Sequence, residues 1–167
     1  MFRDAFVAVA VIAGLVACGG TNTPDASSSG SGVCTTIGCV DGLTVRFDPA
    51  TTWKHGKYVF SLEADGVTQT CTGTLPLPPC GPTGGLSCTA DIATIGESGC
   101  ALPPAQHGFA DIHFRSGPSK VAIRIERDGV SLANATLAPA YQTVQPNGPS
   151  CGPICRQASA SIALTEP

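Results

Sequence analysis

Residues 107–138 read HGFADIHFRSGPSKVAIRIERDGVSLANATLA, and this stretch decides the fold class. Apolar and polar side chains alternate in two runs, whose inward positions are Ala110, Ile112 and Phe114, then Val121, Ile123 and Ile125. A period of two residues indicates half-buried β-strands rather than helices. The segments SGPS at 116–119 and DG at 128–129 are typical of turns. The stretch therefore predicts three short consecutive strands.

The turn at 116–119 predicts that the first two of these strands form an antiparallel hairpin. The facing pairs would be Phe114 with Val121, Ile112 with Ile123, and Asp111 with Arg124. Such a register sets core against core and an acid against a base on the outer face. The register of 130–137 stays open, because a two-residue and a three-residue loop would turn opposite faces inward.

The same alternation continues on both sides of this stretch. Inward positions are Leu43, Val45 and Phe47 in a first strand, Tyr58, Phe60 and Leu62 in a second, and Ala158, Ala160, Ile162 and Leu164 in the last. A two-residue turn at Asp65–Gly66 would face Ala64 with Val67 and Phe60 with Cys71, which places Cys71 in the core.

The middle of the chain is less regular. Residues 75–82, LPLPPCGP, contain four prolines and cannot form an interior strand. Residues 83–100 are Gly-rich, with one strand expected over Cys88–Ile95. The whole pattern predicts an all-β domain over 33–167, an antiparallel β-sandwich of seven to eight short, disulfide-braced strands.

The N-terminus has the form of an export signal. Residues 5–17 carry no charge and are too short to span a bilayer comfortably. The sequence Leu15-Val16-Ala17-Cys18 resembles a bacterial lipobox. The resemblance implies a signal peptide over 1–17, and acyl chains such as palmitate on Cys18. In bacteria of the enteric type, Gly19 after the cysteine implies the outer membrane. Residues 18–32 would then be the lipidated cysteine followed by a flexible Gly/Ser tether.

Cysteine usage agrees with export. Nine cysteines less Cys18 leave eight, namely Cys34, Cys39, Cys71, Cys80, Cys88, Cys100, Cys151 and Cys155. An even number in an exported chain predicts four disulfides. The end pairs either close locally, Cys34–Cys39 and Cys151–Cys155, or cross, for instance Cys39 to Cys155. Cys39 and Cys155 each immediately precede a strand, so first and last strands that run parallel would bring them together, and the sequence leaves both schemes open.

Composition excludes several classes of protein. The chain has 167 residues, a formal charge of −3 and 13% charged residues, which argues against a nucleic-acid binder and a coiled coil. No later run approaches the ~18 apolar residues of a membrane-spanning helix.

Catalytic motifs are absent from the sequence. It contains no phosphate-binding loop, HExxH motif or nucleophile elbow. His107, Asp111 and His113 would share one strand face, but Asp111 has Arg124 as its expected partner and no third ligand is near. Asp41, Asp91 and Glu97 are loop carboxylates that folding would have to gather before they could act together. We therefore expect no enzyme activity, no metal and no cofactor.

Two resemblances add to this reading. Residues 53–58, WKHGKY, followed by a strand and Asp65–Gly66, resemble the strand opening of immunoglobulin-like and fibronectin-like bacterial surface modules. Residues 34–43 (CTTIGCVDGL), 75–80 and 146–156 (PNGPSCGPICR) resemble small cysteine-rich lipoproteins of myxobacterial type, a family of unassigned function.

The expected function is a non-catalytic lipoprotein, a surface-binding or envelope-structural module held at the outer membrane by its lipid. Its partners would be the membrane and a protein or glycan ligand, contacted through the loops at 73–85 and 141–153. One alternative is a protease inhibitor that presents the rigid loop Leu75-Pro76-Leu77-Pro78. Another is a metal-dependent enzyme that uses His107 and His113.

Overall fold

The computed structural model describes residues 34–48 and 51–165. The predicted signal peptide, the lipidation site Cys18 and the tether over 18–32 lie outside the described residues. Ten strands follow in chain order: β1 Gly42–Phe47, β2 Gly56–Ala64, β3 Val67–Leu75, β4 Ser87–Cys88, β5 Ala93–Ser98, β6 Gly108–Phe114, β7 Val121–Arg127, β8 Val130–Leu137, β9 Gln142–Val144 and β10 Cys155–Ile162. A 3-10 turn, Pro104–Gln106, precedes β6.

The strands form two five-stranded sheets. Sheet I has the order β5-β6-β1-β10-β9, and sheet II has the order β4-β3-β2-β7-β8. All neighbouring pairs are antiparallel except β1 and β10, which run parallel with Gly42 beside Gln157 and Phe47 beside Ile162. The all-β class is confirmed, whereas the expected count of seven to eight strands is too low.

One hydrophobic cluster joins the inner faces of the two sheets. It contains the predicted inward positions of the first, second and seventh strands, which are Leu43, Val45, Phe47, Tyr58, Phe60, Leu62, Val121, Ile123 and Ile125. Trp53 lies at one end of the cluster, with its ring edge-on to Phe47, Tyr58 and Phe109 at centroid distances of 4.9, 5.5 and 4.9 Å.

The Asp65–Gly66 turn confirms its predicted register. Ala64 faces Val67 and Phe60 faces Cys71, which is fully buried. Asp65 and Gly66 have φ values of 47° and 86°, the left-handed conformations that a two-residue hairpin turn requires. Asp128 and Gly129 repeat this geometry, at 51° and 82°.

The predicted hairpin between β6 and β7 is wrong. β6 pairs with β1 and β5 in sheet I, while β7 pairs with β2 and β8 in sheet II. Residues 115–120 therefore cross from one sheet to the other. Alternation could not reveal this, because each sheet buries one face and the pattern is the same whichever sheet a strand joins. Asp111 accordingly lies beside Arg46 in register, and Arg124 pairs with Glu126.

Two irregularities alter the expected faces. Ile95 faces Ile112 but Glu97 faces Phe109, so β6 carries one residue more than β5 over this interval. Phe109 is consequently buried and Ala110 is exposed, contrary to the prediction. In sheet II the loop at 128–129 has two residues, and a register shift after Ile125 allows both Leu132 and Ala133 to be buried.

The proline-rich segment 75–82 forms no interior strand, as predicted, whereas the following residues 83–100 differ from the prediction. After Leu75 no strand forms until Ser87. The single strand expected over Cys88–Ile95 is instead two strands, β4 and β5, placed in different sheets. Gln69 of β3 links those sheets: its Oε1 accepts from the N–H groups of Ile92 and Ala93 at 2.7 and 3.1 Å, and its Nε2 donates to the Ala93 carbonyl at 2.9 Å.

Candidate functional site

All eight predicted half-cystines form disulfides. The bridges are Cys34–Cys151, Cys39–Cys155, Cys71–Cys88 and Cys80–Cys100. The crossed scheme is therefore the one adopted, because the parallel pairing of β1 and β10 brings the segments before them together. The local closures are not formed. Two bridges with separations of 117 and 116 residues hold the segment 34–41 against 151–155.

The histidines do not converge. His107 is buried on the same side as Phe109, and the extra residue in β6 puts Asp111 and His113 on the opposite face. His107 Nε2 lies 2.8 Å from the Leu102 carbonyl oxygen, to which it donates. His55 is exposed. Within residues 34–48 and 51–165, no three His, Cys, Asp or Glu side chains lie close enough together to hold a metal ion.

Two of the three carboxylates that were expected in loops, Asp91 and Glu97, border one shallow groove of about 290 Å³, but Glu97 lies on β5 and not in a loop. Asp91 pairs with Arg115 at 2.8 Å, and Glu97 accepts from the Gly85 N–H at 2.8 and 2.9 Å. Asp41 lies elsewhere and accepts from the Arg156 N–H at 2.7 Å. Each carboxylate thus has a structural partner, and folding does not bring the three together.

The proline-rich loop is fixed to the body of the domain. Cys80 is bridged to Cys100, and Leu75 and Leu77 are both buried in the core. Pro76 and Pro78 are exposed. The two apolar side chains that an inhibitory loop would offer to a protease are therefore turned inward.

The two loops expected to make contacts lie at opposite ends of the sheets. Leu75 is opposite Gly56, at the end of sheet II where β2 begins. Val144 is opposite Cys155, at the end of sheet I where β1 and β10 begin. Ala64, at the other end of β2, faces Val121. The 115–120 crossover joins Val121 to the end of β6, which lies beside the start of β1. The start of β1 and the end of β2 are therefore at the same end of the two sheets. The loops at 73–85 and 141–153 therefore cannot form one contact surface.

A groove of about 630 Å³ lies on the outer face of sheet I, across β6, β1, β10 and β9. We call it the sheet I groove. Its lining residues are Val40, Gly42, Thr44, Arg46, His113, Ala140, Gln142, Val144, Gln157, Ala158 and Ser159. A volume of this size is typical of sites for small molecules and short peptides.

Gly42 shapes the start of the sheet I groove. It has φ +120°, and a Cβ atom there would lie 2.0 Å from the Phe114 carbonyl oxygen. Only glycine can hold this close approach of β1 to the end of β6. The turn in the chain at Gly42 lets the preceding segment, which contains Val40, form one side of the groove.

Arg46 supplies the one full charge among the lining residues, which include no Asp or Glu. Asp111 is its neighbour in register, but no ion pair joins them. The Asp111 carboxylate instead lies close to β5: a Cβ atom added to Gly96 would be 2.8 Å from Asp111 Oδ1. Within the described ranges, Arg46 has no hydrogen-bond or ion-pair partner, so its guanidinium is available to an anion.

His113 forms part of the groove beside Thr44, with 3.2 Å between His113 Nδ1 and Thr44 Oγ1. The other ring nitrogen, Nε2, is buried and has no partner among the described residues. A base that activates a hydroxyl nucleophile is ordinarily oriented by a third group on its second nitrogen. Among the described residues, no such third group contacts the second ring nitrogen of His113.

Other polar groups in the groove differ in how far they are engaged. Gln157 Nε2 donates to the Val40 carbonyl at 2.8 Å, which leaves its side-chain oxygen as an acceptor. Gln142 and Ser159 make no side-chain hydrogen bond within the part of the chain described. The groove therefore offers donors from Arg46, Gln142 and Ser159 and side-chain amide acceptors from Gln142 and Gln157.

Perturbed pKa values occur outside the groove. Hydrogen bonds from the Ser119 hydroxyl and N–H, and from the Lys120 N–H, hold the pKa of Asp65 below its ordinary value of 3.8. Burial raises the pKa of Tyr141 above its ordinary value of 10.0, with a contribution from the Asp65 charge and an opposing one from Arg156. The Tyr141 hydroxyl donates to the Pro118 carbonyl at 2.9 Å, and the Arg156 guanidinium lies 5.2 Å from its ring centroid. Both groups brace the 115–120 crossover.

Comparisons with protein-family models, curated proteins and solved structures find no match. Over the ranges that the structure covers, no helix has the length and apolar character needed to cross a bilayer.

The sequence analysis did not identify the sheet I groove. Thr44 and Arg46 are at outward positions of the first predicted strand, and Gln157 and Ser159 are at outward positions of the last. The crossed disulfide scheme, which makes these strands neighbours, would have placed the four side chains on one surface.

Proposed function

We propose that this chain is a non-catalytic binding module of the bacterial cell envelope. It is anchored to the outer membrane through a lipid on Cys18, and it binds its ligand in the sheet I groove. The observation that carries the binding role is the guanidinium of Arg46, which has no partner among the described residues and lies in a groove of about 630 Å³ whose described lining contains no acid. The four disulfides support an exported location, because such bridges persist in oxidising compartments.

We further infer that the domain is an immunoglobulin-like sandwich. Support comes from two antiparallel-dominated sheets over one core, and from Trp53 packed beside the opening of β2. The Tyr58 hydroxyl donates to the Lys54 carbonyl at 2.8 Å and fixes this strand opening. The resemblance at 53–58 thus corresponds to a local aromatic structure rather than to an isolated sequence pattern.

The two alternatives have less support. An inhibitory role for the proline-rich loop would need an accessible apolar side chain, and Leu75 and Leu77 are buried. A metal-dependent activity would need His107 and His113 close together, but His107 is buried just before β6 begins, whereas His113 of β6 lines the sheet I groove.

Two measurements test the proposal. Cells grown with labelled palmitate should incorporate the label into the native chain and not into Cys18→Ser. Thermal unfolding of the purified chain should then be screened against sets of peptides, oligosaccharides and organic acids, with Arg46→Gln and Arg124→Gln in parallel. We expect at least one ligand to stabilise the native chain and Arg124→Gln but not Arg46→Gln. Equal palmitate label in Cys18→Ser, or ligand effects that Arg46→Gln leaves intact, would contradict it.

A further inference from the structure

The sheet I groove is chemically different at its two ends. Arg46 lies four residues beyond Gly42 along β1, which corresponds to about 13 Å at ~3.3 Å per residue. Val40 and Val144 lie at the Gly42 end, where Val144 pairs with Cys155 and Gly42 pairs with Gln157. One end therefore carries a cation and the other carries aliphatic side chains.

Val40 is an unusual residue for this surface. It is 64% exposed, although it immediately follows Cys39, which is bridged to Cys155. The Gln157 amide holds its carbonyl, so the side chain is presented from a fixed backbone. An aliphatic group held rigidly at the side of a groove is suited to contact an apolar part of a ligand.

The middle of the groove is polar, from Gln142, Gln157 and Ser159. An alkyl chain laid across these groups would remove water from them without replacing its hydrogen bonds, which is unfavourable. A peptide would supply amide donors and acceptors at this point. A uronic acid saccharide would satisfy Arg46 but would place hydroxyl groups against Val40.

Resting on the proposed binding role of this groove, we propose that it binds the carboxyl terminus of an extended peptide. The terminal carboxylate pairs with the Arg46 guanidinium, the backbone amides contact Gln142, Gln157 and Ser159, and an aliphatic side chain four residues upstream packs against Val40. Val40 precedes Gly42 by two residues, so the aliphatic end lies beyond the ~13 Å between Arg46 and Gly42, and five extended residues, which span about 17 Å, reach it.

The test uses the purified full chain and the peptide N-acetyl-Leu-Ala-Ala-Ala-Ala with a free carboxylate, followed by chemical-shift changes in ¹⁵N-labelled protein. The comparison ligands are the same peptide with a C-terminal amide, octanoate and digalacturonate. We expect saturable binding of the acid peptide with shifts centred on β1 and β10, and at least ~10-fold weaker binding of the amide, which corresponds to ~1.4 kcal/mol. Octanoate and digalacturonate should bind more weakly than the acid peptide.

Variants identify the contacts. Arg46→Gln should abolish the preference for the acid over the amide, and Val40→Ser should weaken the peptide without changing that preference. Arg124→Gln, an exposed arginine on the outer face of sheet II, should leave both ligands unaffected. Equal affinity for acid and amide, or octanoate binding as tightly as the peptide, would overturn the proposal.

The remaining outcomes separate this proposal from the broader one. Digalacturonate bound in preference to the peptide, and lost in Arg46→Gln, would overturn the peptide assignment and leave the groove as the binding site. Absence of binding by any of these carboxylates, together with a negative ligand screen, would overturn both.

Discussion

The side chain of Asn147 pairs with both backbone polar groups of Ile37, 110 residues away in the sequence. Asn147 Oδ1 accepts from the Ile37 N–H at 3.0 Å, and Nδ2 donates to the Ile37 carbonyl at 2.9 Å and to the Gly152 carbonyl at 2.6 Å. The Thr35 hydroxyl also donates to Oδ1. The side-chain amide of Asn147 therefore makes the hydrogen bonds that a neighbouring strand would otherwise make to the segment before β1.

Replacement of Asn147 by alanine should destabilise this segment. The variant loses four hydrogen bonds at a half-exposed site, so we expect the free energy of unfolding in urea to fall by about 1–2 kcal/mol. Hydrogen exchange at Ile37 should become faster. Asn134→Ala on β8 is the matched control, since Asn134 is exposed and makes no side-chain hydrogen bond within the described residues. Equal stability of the two variants would argue against the role of Asn147.

The two long-range disulfides should stabilise the domain non-additively. Their separations are 117 and 116 residues, so either bridge alone closes almost the same loop. The two bridges together close a ring of only about ten residues, made of 34–39 and 151–155. Removal of one bridge by Cys39→Ser with Cys155→Ser opens only this small ring, so from loop-closure entropy it should cost about 3 kcal/mol of stability. Removal of both should cost about 8 kcal/mol, more than twice the single loss.

Urea unfolding of the single and double removals measures this coupling. Removal of Cys80–Cys100, whose separation is 20 residues, is the control and should add independently to either loss. A cost for both long-range bridges equal to the sum of the single costs would show that each acts alone.

Asp65 should make the stability of the domain depend on pH. Its carboxylate accepts from the Ser119 N–H, the Ser119 hydroxyl and the Lys120 N–H at 3.1, 2.7 and 3.0 Å, which lowers its pKa in the folded state. A lowered folded pKa contributes stability above the unfolded value of 3.8, and that contribution is lost as the pH falls through the folded pKa. Asp65→Asn, which tolerates the positive φ of this turn, should be less stable than the parent at neutral pH.

The difference between the parent and Asp65→Asn should shrink below pH 3.8, as measured by thermal unfolding across the pH range. Glu63→Gln on the exposed side of β2 serves as the control for loss of a negative charge. A gap that stays constant through the acid range would mean that Asp65 acts through shape and not through its charge.

Gly108→Ala should displace the single tryptophan. A Cβ atom at 108 would lie 2.3 Å from Trp53 Cδ1, well inside contact distance. We expect a red shift of the tryptophan emission and a loss of about 1–3 kcal/mol in stability from overpacking. Gly38→Ala should change neither, because nothing lies within 4 Å of its added Cβ. Unchanged emission in Gly108→Ala would contradict the packing of Trp53 on this strand.

Gln69→Leu should test the link between the sheets. Gln69 is 1% exposed, and its loss leaves the N–H groups of Ile92 and Ala93 and the Ala93 carbonyl without their side-chain partner. We expect a loss of about 2–4 kcal/mol in urea unfolding, despite the gain in apolar volume. Gln142→Leu, at an exposed position on β9, should cost far less. A stable Gln69→Leu would show that water can replace the amide.

Strand positions and inward faces were largely predictable from the sequence, but strand partners were not. Ile112 and Ile123 alternate in the same way whether they pair or lie in different sheets, and they lie in different sheets. The turn at Asp65–Gly66 was predictable because two positive φ values restrict a hairpin to one register. The extra residue in β6 was not predictable from the sequence. It places Phe109 in the core instead of Ala110, and it depends on how β6 pairs with β5.

The candidate site depends on contacts distant in sequence, which explains why it was missed. Arg46 appeared as one exposed cation, and the expected partner of Asp111 was Arg124. Only the sheet order, with β6 and β10 on either side of β1, brings Arg46, Gln157 and Ser159 to the same face.

The Cys34–Cys151 bridge also determines how the domain would respond to tension. A pull applied between residues 34 and 165 would pass directly through the sulfur atoms into 151–165, leaving residues 35–150 outside the load path. Only about 50 Å of backbone could be drawn out before the covalent chain became taut, against more than about 400 Å if every bridge were reduced. A protein tethered at one terminus and gripped at the other would bear the load on β10, which lies within 151–165 and lines the groove, while β1 to β9 would stay outside the load path.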